Sequence, residues 1–264
     1  MEITGQILKM RTEMKDPVQY RLPVGDGQID MNALIGKHIT LKYNNEIRCI
    51  FCGRKTRKSF AQGYCYPCFI DCPETAECII RPELCRAHEG IGRDIEWERK
   101  NHLQEHFVYL AISSGLKVGV TRSTPALTRW IDQGAGKAIC LAQTPNRYIA
   151  GCIEVELKKY ISDRTQWQRM LKNEVQDADL GKEKLKMAKL LPCELREYLS
   201  DNNDITGINY PVNEYPEKVK SVGFDKLHQI SGILDGIKGQ YLIFDDGRVL
   251  NIRKHNGYVI ELGC

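Results

Sequence analysis

A chain of 264 residues with 42% hydrophobic content is long enough for one large domain or two to three small ones, and its composition does not call for disorder. A net charge of +4 does not identify a nucleic-acid partner, because binding depends on a local basic patch, so charge has to be read by segment. No apolar run approaches the roughly 18 to 20 residues of a membrane span, and MEITGQILKM lacks the charged start, apolar core and cleavage site of a signal peptide, so a cytoplasmic protein with no membrane partner is expected.

Residues 1–47 read as a small β-module, with ITGQILKM, VQYRLPV and KHITLKY separated by the turn-rich KDP and GDG. Residues 48–105 hold most of the cysteines, and neither a helical nor a strand period persists there, so ligands rather than a core are expected to hold the backbone. Residues 106–178 open on HFVYLAISSGLKVGVTRSTPALTRWIDQGA, in which two alternating apolar runs flank a Ser-Ser-Gly turn and Ser123-Thr124-Pro125 offers a cap followed by proline at the first helical position. A strand over 137–142 and helices over 146–161 and 164–174 follow, the last read as Asp-capped. Residues 179–264 read as a helical linker with Pro192 opening a second short helix, then a C-terminal β-module broken at DDG and HNG.

Eleven cysteines in a reducing compartment point to metal ligands or incidental buried thiols, and spacing separates the two. Cys49-x2-Cys52 and Cys65-x2-Cys68, twelve residues apart, are two tight knuckles that complete a soft tetrahedral shell suited to structural zinc. Four buried free thiols, a redox dithiol and an iron–sulfur site are the alternatives. Between the knuckles, Arg54, Lys55, Arg57 and Lys58 in GRKTRKSF form a run that can contact nucleic-acid phosphates, or else a solvated turn. Cys78, Cys85, His88 and His102 offer a second four-ligand zinc site, against a reading as structural thiols and surface histidines.

The strand–strand–helix–strand–helix–helix order resembles the GIY-YIG endonuclease-like superfamily over residues 107–171. More closely, VYLA, LKVGVTR, TRWIDQGA and the upstream zinc knuckles resemble an uncharacterised bacterial domain-of-unknown-function family. The resemblance implies an α+β fold in which a GIY-YIG-like β-β-α-β-α-α core carries a zinc-ribbon-like segment and flanking small β-modules. It also implies roles by position. Tyr109 in VYL stands where the first motif has its tyrosine, Gly119 on the glycine of the second, Arg129 on the helix arginine, and Glu154 in CIEVELKK on the glutamate that binds Mg²⁺ or Mn²⁺, with Glu156 competing. Lys117 replaces the second motif tyrosine.

Phosphodiester cleavage builds negative charge on phosphate oxygens, which a guanidinium and a carboxylate-held hard cation stabilise. Arg122 and Arg129 would bind the phosphate, Tyr109 would position or activate water, and Lys117 would bind a substrate oxygen. As a base, lysine would need a strongly depressed pKa. The functional expectation is therefore a nucleic-acid-binding zinc protein with metal-dependent phosphodiester hydrolysis open. A catalytically inactive RNA- or DNA-binding module and a zinc-stabilised protein-interaction scaffold are the alternatives. Each residue also has a bland role: Tyr109 and Trp130 in the core, Arg122 and Arg129 on a solvated surface, Glu154 in a salt bridge with Lys158.

Overall fold

Alternation of apolar and polar residues sets the first elements. The structure, a computed structural model that describes residues 2–264, turns them into β1 (Glu2–Gln6), β2 (Arg11–Glu13), β3 (Gln19–Val24), β4 (Gly27–Asp30) and the eleven-residue β5 (His38–Arg48). β2, β3 and β4 form a three-stranded antiparallel sheet, and the inward residues of β3, Tyr20 and Leu22, are fully buried. Past Arg48 the alternation stops at the cysteines. Only β6 (Lys55–Thr56), which pairs back on β5, and α1 (Tyr66–Asp71) are regular there.

Asp71–Gly207 forms a compact unit of its own. It begins with single turns of 3₁₀ helix, two of them opening on Pro73 and Pro82, and then α2 (Ile95–His102), where the Asp94 carboxylate accepts from the Trp97 N–H at 2.9 Å. There follow β7 (His106–Ile112), β8 (Leu116–Arg122), α3 (Ala126–Asp132), β9 (Lys137–Thr144), α4 (Arg147–Leu157), α5 (Trp167–Leu171), α6 (Leu180–Leu190), α7 (Cys193–Arg196) and β10 (Thr206–Gly207). The sheet order is β10-β9-β7-β8, antiparallel throughout.

Strand parity gives this sheet two different faces. Val108, Leu110, Ile112 and Val118 pack with Ala150, Ile153 and Leu157 of α4 and with Leu180 and Met187 of α6. Tyr109, Lys117 and Gly119 have the opposite parity. Tyr109 and Gly119 are register partners, and a Cβ on Gly119 would lie 2.6 Å from the tyrosine Oη, so the glycine leaves room for the phenol.

Three boundaries differ from the sequence expectation. The helix after Ser123-Thr124-Pro125 starts at Ala126 with Pro125 at the capping position, and no side chain caps it. The expected helix over 164–174 is only α5, with Gln166 at the capping position and no side-chain cap, while Asp163 pairs with Lys158 at 3.6 Å. The helix expected over 146–161 ends at Leu157, although Asn146 caps it by accepting from the Ile149 N–H at 3.0 Å. Pro192 does separate α6 from α7.

The chain then returns as β11 (Lys220–Val222), β12 (Gln229–Lys238), β13 (Tyr241–Phe244), β14 (Arg248–Asn251) and β15 (Tyr258–Gly263). These strands join those before Ile70 in a second unit, whose large sheet runs β1-β15-β5-β12-β13-β14-β11 with β6 on β5. The first and last strands are thus neighbours, and β5 lies between β12 and β15. Its core includes Ile39, Leu41, Ile230, Leu234, Ile260 and Leu262, all fully buried. At the DDG turn Gly247 adopts φ +77°, a conformation that favours glycine. Among the described residues, no helix is long and apolar enough to cross a membrane.

Within the inserted unit, α4 lies directly against the turn at Pro82. A Cβ on Gly151 would meet the Glu83 backbone nitrogen at 2.2 Å and the Pro82 carbonyl carbon at 2.4 Å. Gly151→Ala should therefore destabilise this unit by about 1–3 kcal/mol, the range for overpacked sites. Trp97, Trp130 and Trp167, all the tryptophans of the chain, lie in Asp71–Gly207, so urea denaturation followed by tryptophan fluorescence reads this unit. An unchanged midpoint would mean that the close approach is dispensable.

Candidate functional site

The first group of ligating residues is built at the end of β5. Cys49 follows the strand directly, and the turn to Cys52 closes through the Gly53 N–H donating to the Cys49 carbonyl at 2.9 Å, with Gly53 at φ +70°. Cys65 precedes α1 and Cys68 lies in it. The four sulfurs lie within 4.8 Å of one another. A tetrahedral zinc with Zn–S bonds of about 2.3 Å has S···S edges of about 3.8 Å, and Cys52 Sγ to Cys65 Sγ is 3.8 Å.

Burial works against a thiolate at Cys49, but the backbone groups of Cys52, Cys65 and Phe51 outweigh it and hold that thiol down to about 6. Burial and the neighbouring thiols push Cys68 up. A thiolate is thus favoured at Cys49 and disfavoured at Cys68, where a nearby cation would help the thiol ionise. The cluster is thus positioned to hold a metal ion and is consistent with zinc. Four protein ligands would leave a metal held there no open coordination position, the arrangement of structural sites.

A second group, Cys78, Cys85, Glu98 and His102, lies in the inserted unit, every member buried and the ligand atoms again within 4.8 Å. Glu98 and His102 sit one turn apart on α2 with their side chains joined. Cys85 Sγ lies 3.5 Å from His102 Nδ1, close to the S···N edge of about 3.6 Å that zinc–sulfur and zinc–nitrogen bond lengths imply. Gly92 makes room here, since a Cβ on it would stand 2.5 Å from Glu98 Cγ. The fourth member is thus Glu98, not His88. His88 lies outside the group because its ring stacks on Tyr148 at a centroid distance of 4.5 Å.

Hydrogen bonding from Cys78 outweighs burial, helped by His102, and lowers the Cys85 thiol to about 4, whereas Cys78 is pushed up chiefly by the same bond. Arg147 ties this loop to α4, donating to the Cys78 carbonyl at 2.9 Å and the Ile79 carbonyl at 2.7 Å. Two thiols, a carboxylate and an imidazole buried together are matched by a dication that takes charge from each.

On the other face of the β7–β8 hairpin lies a third arrangement. Tyr109 Oη donates to Gln133 Oε1 at 2.9 Å, and Lys117 Nζ donates to the same oxygen at 2.6 Å. Lys117 Nζ also reaches Thr165 Oγ1 at 3.4 Å. Lys117 is 4% exposed. Burial, then the Arg129 guanidinium, lower its amine to about 8. Tyr109 is fully buried and burial raises its phenol, with Arg129 acting against that rise. Trp130 packs edge-on against Tyr109 at 5.9 Å, as a core anchor.

Glu154 is also buried, and burial raises its carboxyl. Lys158 Nζ stands 3.6 Å from both Glu154 and Asp163. Glu156 pairs with Lys159 at 2.6 Å on the more exposed side of α4. Tyr109, Lys117 and Arg129 are therefore brought together, and Glu154 contributes to the field at both Tyr109 and Lys117. Arg122 is not part of this group: it has the other strand parity, and its Nη1 donates to Asn101 Oδ1 at 2.7 Å.

Arg54, Lys55, Arg57 and Lys58 are exposed on the zinc-competent hairpin. Lys55 is bound to Glu46 at 2.5 Å, and Lys58 lies over the Phe60 ring at 5.4 Å. Sequence reasoning missed Gln133, Thr165, Asp163 and Glu98. Gln133 stands inside TRWIDQGA, but an amide just past a helix end reads like any solvated residue. The i,i+4 spacing of Glu98 and His102 was the available signal for the second group.

Protein purified with zinc should carry two equivalents per chain by elemental analysis, and Cys52→Ser or Cys85→Ser should each lose one. One equivalent in the unaltered chain, unaffected by Cys85→Ser, would confine metal to the first group.

No curated protein and no solved structure matches this chain. A family model described as a protein of unknown function, DUF2797, matches residues 36–260, which take in both ligating groups and the Tyr109–Lys117 site, and the chain belongs to that family.

Proposed function

We propose that this protein binds nucleic acid and hydrolyses its phosphodiester backbone at the Tyr109–Lys117–Arg129 site, as a GIY-YIG-like nuclease in which a lysine takes the place of the second motif tyrosine. The observation that carries the reading is the buried Lys117 amine, bound to the same Gln133 oxygen as Tyr109 and lowered to about 8. An amine in that range is neutral in a useful fraction of molecules near neutral pH, which an ordinary surface lysine is not.

In this reading the neutral Lys117 Nζ takes a proton from water, whose oxygen forms a new bond to phosphorus as the bond to the leaving oxygen breaks. The leaving oxygen takes a proton from solvent, and the lysine later returns its proton to solvent. Arg129 stabilises charge on the non-bridging oxygens, and Tyr109 fixes the orientation of the water. Glu154 and Asp163, which already share the Lys158 ammonium, are the carboxylates that would hold Mg²⁺ or Mn²⁺. Such a cation supplies further positive charge at the phosphate. The exposed Arg54, Arg57 and Lys58 would contact nucleic-acid phosphates.

The second reading is binding without cleavage. It is favoured by the Glu154–Lys158 pair, which supplies the carboxylate with a cation of its own.

Zinc-loaded protein should cleave single- or double-stranded DNA or RNA with Mg²⁺ or Mn²⁺. The rate should rise with pH through about 8 and level off above it, because the neutral form of Lys117 accumulates there. Lys117→Met should lower the rate by about 10²–10⁴-fold, and Arg129→Ala by about 10²–10³-fold. Cleavage indifferent to Arg129→Ala and Glu154→Ala would remove this site assignment. Salt-dependent retention of nucleic acid with no cleavage under either metal would establish the second reading.

A further inference from the structure

The unit built from both ends of the chain contains a cavity of about 510 Å³ that the chemistry above does not use. Its volume is in the range of small-molecule sites, about 300–1,000 Å³. Its walls come from β5, the turn after β6, the segment after β11 and the start of β15, so distant stretches converge on it. Three kinds of group line it. Tyr43 and His228 supply near-parallel rings, 11° apart with centroids at 6.2 Å, and His228 is exposed. Arg57, Lys58 and Lys254 supply cations. Asp225 supplies a carboxylate, held by the Tyr258 hydroxyl at 2.6 Å and by Lys254 at 3.8 Å.

Two further observations concern the wall. Ser59 is part of it, and its hydroxyl is buried with no hydrogen-bond partner among the described residues. The loop carrying the cavity's Gln62 runs through three successive positive φ values, at Ala61 (42°), Gln62 (64°) and Gly63 (136°). Non-glycine residues held this way mark a loop whose shape the surroundings dictate.

A ligand that suits all of these has a flat aromatic ring, N–H donors on its edge and a phosphate. Aromatic faces bind bases largely without regard to sequence, carboxylates accept from exocyclic amino groups, and arginine and lysine bind phosphate. An inorganic anion would use the cations but leave the rings and Asp225 idle. An apolar ligand would make no use of the three cations or of Asp225.

We infer that this cavity binds one nucleoside phosphate, its base stacked on the Tyr43–His228 wall with its amino edge toward Asp225, and its phosphate on Arg57, Lys58 and Lys254. The ligand is either a free mononucleotide or one unpaired nucleotide of a strand. In the second case the inference rests on the nucleic-acid reading above and supplies it with a base-binding subsite separate from the reacting phosphate.

The test is calorimetric titration of the zinc-loaded full chain with AMP, GMP, CMP and UMP, with inorganic phosphate, and with a single-stranded oligonucleotide. At least one mononucleotide should bind at least tenfold more tightly than phosphate. His228→Ala, at an exposed position, should weaken that binding about tenfold, and Arg57→Glu should weaken it at least as much. An oligonucleotide bound at least tenfold more tightly than the mononucleotide identifies a strand as the source, whereas equal affinity identifies the free nucleotide. Mononucleotide binding no tighter than phosphate, or untouched by both substitutions, overturns the inference even if polynucleotide is retained and cleaved. Binding of mononucleotide without retention or cleavage of polynucleotide upholds the cavity and removes the function proposed for the Tyr109–Lys117 site.

Discussion

From Cys49 to His102 the chain has too little apolar material to hold itself in one shape. Its regular elements are α1, α2, the two-residue β6 and single helical turns, and the hydrophobic contacts of its second half centre on Cys78, Cys85 and Ala87 with Ala76 beside them. Gathered there instead are two groups of side chains that could hold a metal ion, each within 4.8 Å. Short peptide segments lose much conformational entropy on ordering, and metal–ligand bonds are strong enough to offset that loss where a core is missing. The other features described here lean on this constraint. The Cys49–Cys68 group shapes the hairpin that carries the basic residues and one wall of the aromatic cavity, and the Cys78–His102 group shapes the loop that lies against α4.

The inserted sheet shows a different economy. One strand parity is apolar and packs on helices. The other presents a phenol, an amine and a glycine beside a helix that brings a guanidinium and an amide. Burying an ammonium disfavours its charged form, and here the nearest hydrogen-bond partners are neutral: Gln133 and Thr165. A carboxylate in place of Gln133 would have stabilised the ammonium instead. The neutral amide leaves Lys117 oriented but not fixed in charge.

The sequence spoke most clearly where one periodicity or one spacing governs the outcome. Alternation placed the β7–β8 hairpin within two residues at each end, and the C-x2-C pairs identified a four-sulfur group. Asn146, quoted only as the start of a helix, caps it. Reading failed where tertiary partners compete with local signals. Asp163 looks like a helix cap, yet it pairs with Lys158, and α5 spans only Trp167–Leu171. His88 has a ligand's chemistry but stacks on Tyr148, while Glu98, on the same helix as His102, turns inward. Arg122 follows the glycine of its strand by three residues and so leaves the face that Tyr109 and Lys117 share. Gln133 carries no periodic or capping signature, so its place between Tyr109 and Lys117 emerges only in three dimensions.

The order of the strands bears on how the chain is made. β5 has β12 and β15 as its long neighbours, and both lie beyond the inserted unit. Translation proceeds from the N-terminus at about 5–20 residues per second, so Asp71–Gly207 can complete its own sheet while β5 still waits for its partners. For that interval an eleven-residue strand with apolar inward positions at Ile39 and Leu41 has only the two-residue β6 beside it, and unpaired strand edges invite pairing with other chains. Early ligand capture by Cys49, Cys52, Cys65 and Cys68 would tether the end of that strand to β6 and α1. The cysteine knuckles would then serve a nascent polypeptide as well as a finished one.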